Sequence, residues 1–131
     1  MRMVLYGLPC AGKDYLISRM PFLEHIKGSE WLNAQSNGRF RELPPEEQGR
    51  LRRQFIKHVR TVDTADVIVD GHYSFPGIGG YHKAFTEDDG DCYDIFAFLD
   101  TPVDVIHDRI QSSEKNTIYS ELTVSDLQAW R

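Results

Sequence analysis

Cysteine is scarce in this chain, with two residues in 131, Cys10 and Cys92. A disulfide-stapled mini-protein is excluded, and a chain of this length can bury well over half of its unfolded surface without staples. Long apolar runs are lacking as well. The N-terminal run, residues 3–8, is far too short for a membrane span or a signal sequence, which predicts a cytoplasmic protein with no membrane partner. Basic residues are outnumbered, 15 against 20 acidic, giving a net charge of −5; such a balance offers no general footprint for nucleic acid. The five histidines and two cysteines show neither His-x-x-x-His nor Cys-x-x-Cys spacing, which argues against a zinc site. Repeats and low-complexity tracts are missing, and 40% hydrophobic with 11% aromatic residues is an ordinary globular composition. Residues 1–131 read as one domain.

What is present is alternation of strand and helix signals. Met3-Val4-Leu5-Tyr6 runs into Gly7-Leu8-Pro9, the pattern of a buried strand entering a turn. A helix over residues 13–20 follows and stops at Pro21; a weak second strand lies within residues 22–27, closed by Gly28. Residues 33–42 are polar, with Phe40 their only large apolar side chain, and read as an irregular loop. Pro44-Pro45-Glu46-Glu47 starts a long amphipathic helix in which Leu51, Phe55, Val59 and Val62 recur at helical spacing. Val67-Ile68-Val69 before Asp70-Gly71 suits a buried parallel strand. Between residues 73 and 94, Pro76, Gly77, Gly79, Gly80 and Gly90 predict an irregular, mobile flap. Its acids Glu87, Asp88, Asp89, Asp91 and Asp94 lack calcium-loop spacing and read as a solvated loop. Residues 95–99 make the next strand, Thr101-Pro102-Val103-Asp104 cap a helix running through Arg109, and residues 123–130 form the last helix. The alternation predicts an α/β fold, a parallel sheet with helices on both faces.

Gly7-Leu8-Pro9-Cys10-Ala11-Gly12-Lys13 matches the glycine-rich phosphate loop up to its lysine, and it stands between a strand and a helix as that loop must. Glycines let the backbone wrap closely enough for successive N–H groups and the helix start to face a phosphate. Gly7, Pro9, Cys10, Ala11, Gly12, Lys13 and Asp14 are therefore the nucleotide-binding candidates, with Lys13 reaching the β- and γ-phosphates. Asp14 occupies the position where a hydroxyl normally meets Mg²⁺. A carboxylate is a hard oxygen ligand, but it adds negative charge: either it binds metal, directly or through water, or it weakens nucleotide binding. Asp70, at the end of a core strand, is a second metal candidate and can also take a proton from an acceptor hydroxyl. His72 either touches the acceptor or decorates the loop. Arg50, Arg53, Lys57 and Arg60 share one face of the long helix. They form a solvated stripe or, helped by Arg39 and Arg41, an anion clamp.

These stretches, together with His25-Ile26-Lys27-Gly28-Ser29-Glu30, Asp70-Gly71-His72-Tyr73 and Phe98-Leu99-Asp100-Thr101-Pro102 leading to Arg109, carry a resemblance. The chain resembles the P-loop nucleoside and nucleotide kinases of the adenylate-kinase-like superfamily over nearly its whole length. Its Gly-Lys-Asp ending is similar to that of phage deoxynucleotide kinases and phosphomevalonate kinase. The resemblance implies a P-loop NTPase-type sheet of order 2-3-1-4, ATP and Mg²⁺ as cofactors, and phosphoryl transfer to a nucleoside, a nucleotide or another small acceptor. It implies catalytic roles for Lys13, Asp70 and Arg109, and acceptor binding by Ser29, Arg39, Arg41 and His72. Two departures accompany it. Residues 111–117 contain no arginine, so residues 111–131 read as a reduced lid and helix with Lys115 as the lid cation. The fifth core strand is absent before Arg131; either the chain is cut from a longer protein with further domains, or the sheet edge is completed elsewhere. These departures and Asp14 favour the alternative function, a non-catalytic or regulatory ATP- or GTP-binding module of a larger protein.

Overall fold

A computed structural model of the chain describes residues 1–62, 66–77, 80–113 and 119–131. Its elements in chain order are β1 (Arg2–Tyr6), α1 (Lys13–Ser18), β2 (Glu24–Lys27), α2 (Gly28–Gln35), a 3₁₀ turn (Phe40–Glu42) and α3 (Pro45–Thr61). They continue with β3 (Val67–Gly71), β4 (Ser74–Gly77), β5 (Gly80–Lys83), α4 (Glu87–Cys92), β6 (Ile95–Phe98), α5 (Val103–Ser112) and α6 (Val124–Trp130). Four strands form a wholly parallel sheet in the order β2-β3-β1-β6. This is the expected 2-3-1-4 order of core strands, because β4 and β5 pair with each other as a separate antiparallel hairpin.

Strand alternation divides the core between two helical layers. Val4, Tyr6, Val67 and Val69 pack with Leu51, Phe55, Ile56 and Val59 of α3. Leu5 and Ile68 pack with Ile17 of α1 and with Leu23 on the opposite face. There Val103, Ile106 and Ile110 of α5 also meet Leu127 and Trp130 of α6, beside Leu8 and Ala11 of the first loop. Each large apolar side chain so buried contributes about 1.5–3 kcal/mol. Apolar contact thus fixes both layers against the sheet, and the ends of β1 and β3 come together beside the loop that follows β1.

Three sequence expectations are corrected. Residues 33–35, expected in the irregular loop, are the end of helix α2, in which Leu32 is buried and Trp31 stacks on His58 and lies tilted against Phe55, each at 5.5 Å. The stretch 73–94 is organised by the hairpin and by α4, not irregular, and its acids have structural work: Asp89 closes a capping box with Thr86, accepting from Thr86 N at 2.8 Å, while Asp94 accepts from Arg2 N at 2.8 Å. Thr101 does not cap α5, whose N-cap is Pro102; its hydroxyl is used elsewhere. The last helix begins where expected, with Thr123 and Asp126 forming its capping box.

Candidate active site

The loop between β1 and α1 takes up conformations that few side chains favour. Gly12 has φ 102° and Cys10 φ 60°, both left-handed. At Gly7 the constraint is closeness, since a Cβ there would lie 3.3 Å from the Leu99 carbonyl oxygen and 3.4 Å from the Lys13 side chain. The loop is braced from α5 and the segment before it. Thr101 Oγ1 donates to the Ala11 carbonyl at 2.6 Å, and Arg109 Nη1 donates to the Cys10 carbonyl at 3.0 Å. Both braces use carbonyl oxygens, so neither competes with an anion for loop N–H groups.

Lys13, first residue of α1, is only 8% exposed. Its ammonium lies 2.9 Å from Asp70 Oδ1, 3.1 Å from the Gly71 carbonyl and 3.3 Å from the Gly7 carbonyl. The β1–β3 register, with Leu5 opposite Asp70, carries that carboxylate to the mouth of the loop. Asp14, one residue on from Lys13, is exposed and faces Lys27 Nζ at 3.4 Å. Lys27 also reaches Glu30 at 3.6 Å. Burial works to lower the Lys27 pKa, but Asp14, Glu30 and Asp70 outweigh it and hold the ammonium above its ordinary value. Asp14, Asp70 and His25 each offer a ligand atom, all within 4.8 Å of one another. The two carboxylates are hard oxygen donors and suit Mg²⁺. Sequence spacing does not single out His25. Its signal is strand alternation, which puts His25 and Lys27 on one face of β2, combined with a register that sets Lys27 opposite Asp70.

His72 stands just beyond β3, partly buried and close enough to Lys13 to feel its charge. Burial pushes its pKa down from 6.5 to about 3, helped by Lys13 and Arg41 and then Arg52, against a hydrogen bond with the Gly7 backbone. The imidazole is therefore neutral at physiological pH. Arg41 donates to the Tyr119 hydroxyl, and its guanidinium lies 5.0 Å from that ring's centroid. Arg52 lies 5.0 Å from the centroid of the Phe40 ring; burial lowers its pKa and Asp89 opposes the shift. Arg52 lies outside the charged stripe read from the sequence. Its signal is position, three residues before Phe55 and four before Ile56, on the edge of the buried face of α3.

The expected nucleotide-binding residues, Gly7, Pro9, Cys10, Ala11, Gly12, Lys13 and Asp14, thus fall on one continuous turn with Asp70 and Arg109 against it. Arg41 and His72 also gather there. Arg39 does not: it is 75% exposed and pairs with Glu42 at 3.9 Å. Ser29 is exposed in the first turn of α2. Arg50 is bonded to Glu47 at 2.8 Å, and Arg53, Lys57 and Arg60 are exposed, which fits the solvated stripe. Lys115 lies outside the described residues.

A protein-family model described as "AAA domain" matches residues 6–125. Among solved structures, a shikimate kinase from Bacteroides thetaiotaomicron is similar at 16% identity and a TM-score of 0.67, over 97% of this chain and 73% of that one. A chain of the Pnkp1/Rnl/Hen1 RNA repair complex is similar at 16% identity and a TM-score of 0.60, over 97% of this chain and 41% of that one. No curated protein matches. At these identities the likeness is one of fold, that of a P-loop kinase.

Proposed function

The chain belongs to the AAA-domain family and carries a P-loop kinase fold, and on that premise we propose that it is an ATP-dependent phosphotransferase acting on a small acceptor with an anionic group. A nucleoside or nucleotide is the first candidate class, and the cytoplasm the setting. Among the described residues no helix is long and apolar enough to cross a membrane. The observation that supports the reading is the meeting of two sets of groups at Lys13. One is the phosphate-type loop with Asp70; the other is a neutral His72, on whose imidazole Lys13, Arg41 and Arg52 all act. A module that only senses ATP needs the first set alone.

In this reading the loop amides and Lys13 bind the donor phosphates. Lys13 leaves Asp70 to do so, and the freed carboxylate accepts the proton of the acceptor hydroxyl or joins Asp14 in holding Mg²⁺. That ion would neutralise charge on the phosphate oxygens when bound. Arg109, fixed over the loop by the Cys10 carbonyl, stabilises charge on the group in transfer. Arg41 and Arg52 hold the acceptor's anionic group, and guanidinium suits that role because it donates two parallel hydrogen bonds.

The test is transfer of label from ATP carrying a marked terminal phosphate to a panel of nucleosides, nucleoside monophosphates, small phosphorylated metabolites and 5′-hydroxyl oligonucleotides. A labelled organic product is expected and names the acceptor class. Label found only in ATP or inorganic phosphate would sink the kinase reading in favour of the regulatory module.

A further inference from the structure

We propose that Tyr119 is a positioning residue of the acceptor site: its hydroxyl holds the Arg41 guanidinium in place so that the remaining N–H donors receive the acceptor's anionic group. Arg41 belongs to the 3₁₀ turn before α3 and Tyr119 to the segment between α5 and α6, 78 residues apart in the chain. Their contact is double. Arg41 Nη2 donates to the Tyr119 hydroxyl, and the guanidinium carbon lies 5.0 Å from the ring centroid, within reach of cation–π attraction. A glutamine amide pins the backbone at each end. Gln48 Nε2 donates to the carbonyls of Phe40 and Leu43, each at 3.1 Å, on either side of Arg41, and Gln111 Nε2 donates to the Ser120 carbonyl at 2.7 Å. Tyr119 is buried and tilts against Trp130 at 5.5 Å. Trp130 Nε1 in turn donates to the Ser74 carbonyl at 3.0 Å, two residues beyond His72, and Arg41 acts on the His72 imidazole. The contacts thus close a circuit that sets the guanidinium beside His72.

The choice of partner is what makes the arrangement fit an anion. A guanidinium carries five N–H donors, and the phenol oxygen takes one of them. Arg39 and Arg50 pair with Glu42 and Glu47, whereas no carboxylate among the described residues forms an ion pair with Arg41. A neutral hydroxyl orients the cation without cancelling its charge. The donors left over suit a phosphate or a carboxylate, either of which accepts two parallel hydrogen bonds. A guanidinium already held in one geometry loses less freedom when the anion arrives, and such preorganisation raises affinity. The inference rests on the reading of Arg41 as a group that receives the acceptor's anion, and adds the residue that aims it.

The test reads binding rather than transfer, with inorganic phosphate as the probe because it carries the anion and nothing else. The full chain is saturated with a non-hydrolysable ATP analogue and Mg²⁺, which fills the phosphate loop, and phosphate is then titrated by calorimetry. One phosphate per chain is expected. Tyr119→Phe, which keeps the ring against Trp130, should weaken phosphate binding by about three- to tenfold, the effect of one lost hydrogen bond. Arg41→Ala should weaken it further, and adding Tyr119→Phe to Arg41→Ala should change nothing more, because the two residues act as one unit. Affinity for the ATP analogue should stay at the wild-type value in all three variants, a split that a merely structural role for Tyr119 would not give. Absence of phosphate binding to the wild-type chain, wild-type phosphate affinity in Tyr119→Phe, additive losses in the double variant, or equal loss of phosphate and analogue affinity in Tyr119→Phe would each overturn the proposal. Label transfer from ATP judges the kinase reading separately: phosphate binding governed by Tyr119 without transfer would sustain the proposal and sink that reading, and transfer without such binding would do the reverse.

Discussion

Lys13 and His72 show how the site sets the state of single side chains. The Lys13 ammonium sits in a cage of one carboxylate and two carbonyls, so ATP phosphates must replace those contacts with stronger charge. Lys13→Ala should therefore abolish measurable ATP binding by calorimetry, and unchanged affinity would contradict the phosphate-loop reading. His72 carries a second prediction. Its pKa is near 3 folded against 6.5 as ordinary, so between those values the unfolded chain binds a proton that the folded chain refuses. Stability must then fall as pH drops from 6.5 toward 3, the direction for a depressed group. His72→Gln should flatten that part of the pH dependence in urea unfolding; an unaltered profile would mean that His72 is not held neutral. At this scale Lys13, Asp14 and Asp70 were marked in the sequence by loop spacing and a strand end, and Arg109 by the family resemblance alone. Arg52 and His25 were not, because what places them is a distant ring in one case and the pairing of two strands in the other.

The junction of β2 and α2 lies tight against the strand that carries Asp70. Gly28 begins α2 so close to β3 that a Cβ would lie 3.2 Å from the Asp70 carbonyl oxygen and 3.5 Å from the Phe55 ring. That oxygen belongs to a core strand and has little room to give. Gly28→Ala should cost about 1–3 kcal/mol of stability by overpacking, read from the urea midpoint. Loss of less than about 0.5 kcal/mol, within the range of neutral surface changes, would show that the junction is looser than this. Helix α2 also marks where sequence patterning runs out. It starts on glycine after Lys27 with no side-chain cap, and Trp31 and Leu32 are adjacent rather than spaced by a turn, so neither cap nor period announces it. Helix α3, by contrast, shows proline and acids in its first turn and Leu51, Phe55 and Val59 at regular intervals, and these three are buried as the spacing requires. The hairpin and α4 were obscured by glycines that suggest a loop, although Thr86 and Asp89 at cap spacing were a helix signal in plain sight.

Across the molecule, parallel strands bring their C-terminal ends to one edge of the sheet, which is where ligands bind in open α/β folds. Lys13, Asp70 and His72 lie there, and Arg41 reaches the same region from the turn before α3. The net charge of −5 therefore conceals a local concentration of cations fit for anionic substrates. Two contacts tie residues 130 and 131 to the segments that follow β3 and β6: Trp130 Nε1 donates to the Ser74 carbonyl at 3.0 Å, and Arg131 pairs with Asp100 at 2.6 Å. The parallel α/β class was legible in advance from the alternation of strands and helices, and the sheet order from the family resemblance, whereas the chemistry of the acceptor depends on side chains that only the packed layers bring together. The function proposed for the Lys13–Asp70 centre is transfer of phosphate to an acceptor. The most direct measurement is ADP release with ATP and Mg²⁺, with and without acceptor, for the wild-type chain and for Asp70→Asn. Acceptor-dependent release is expected, falling by about 10²–10⁴-fold in the variant while its circular dichroism and ATP binding persist. Equal release with and without acceptor, or full acceptor-dependent activity in Asp70→Asn, would contradict it.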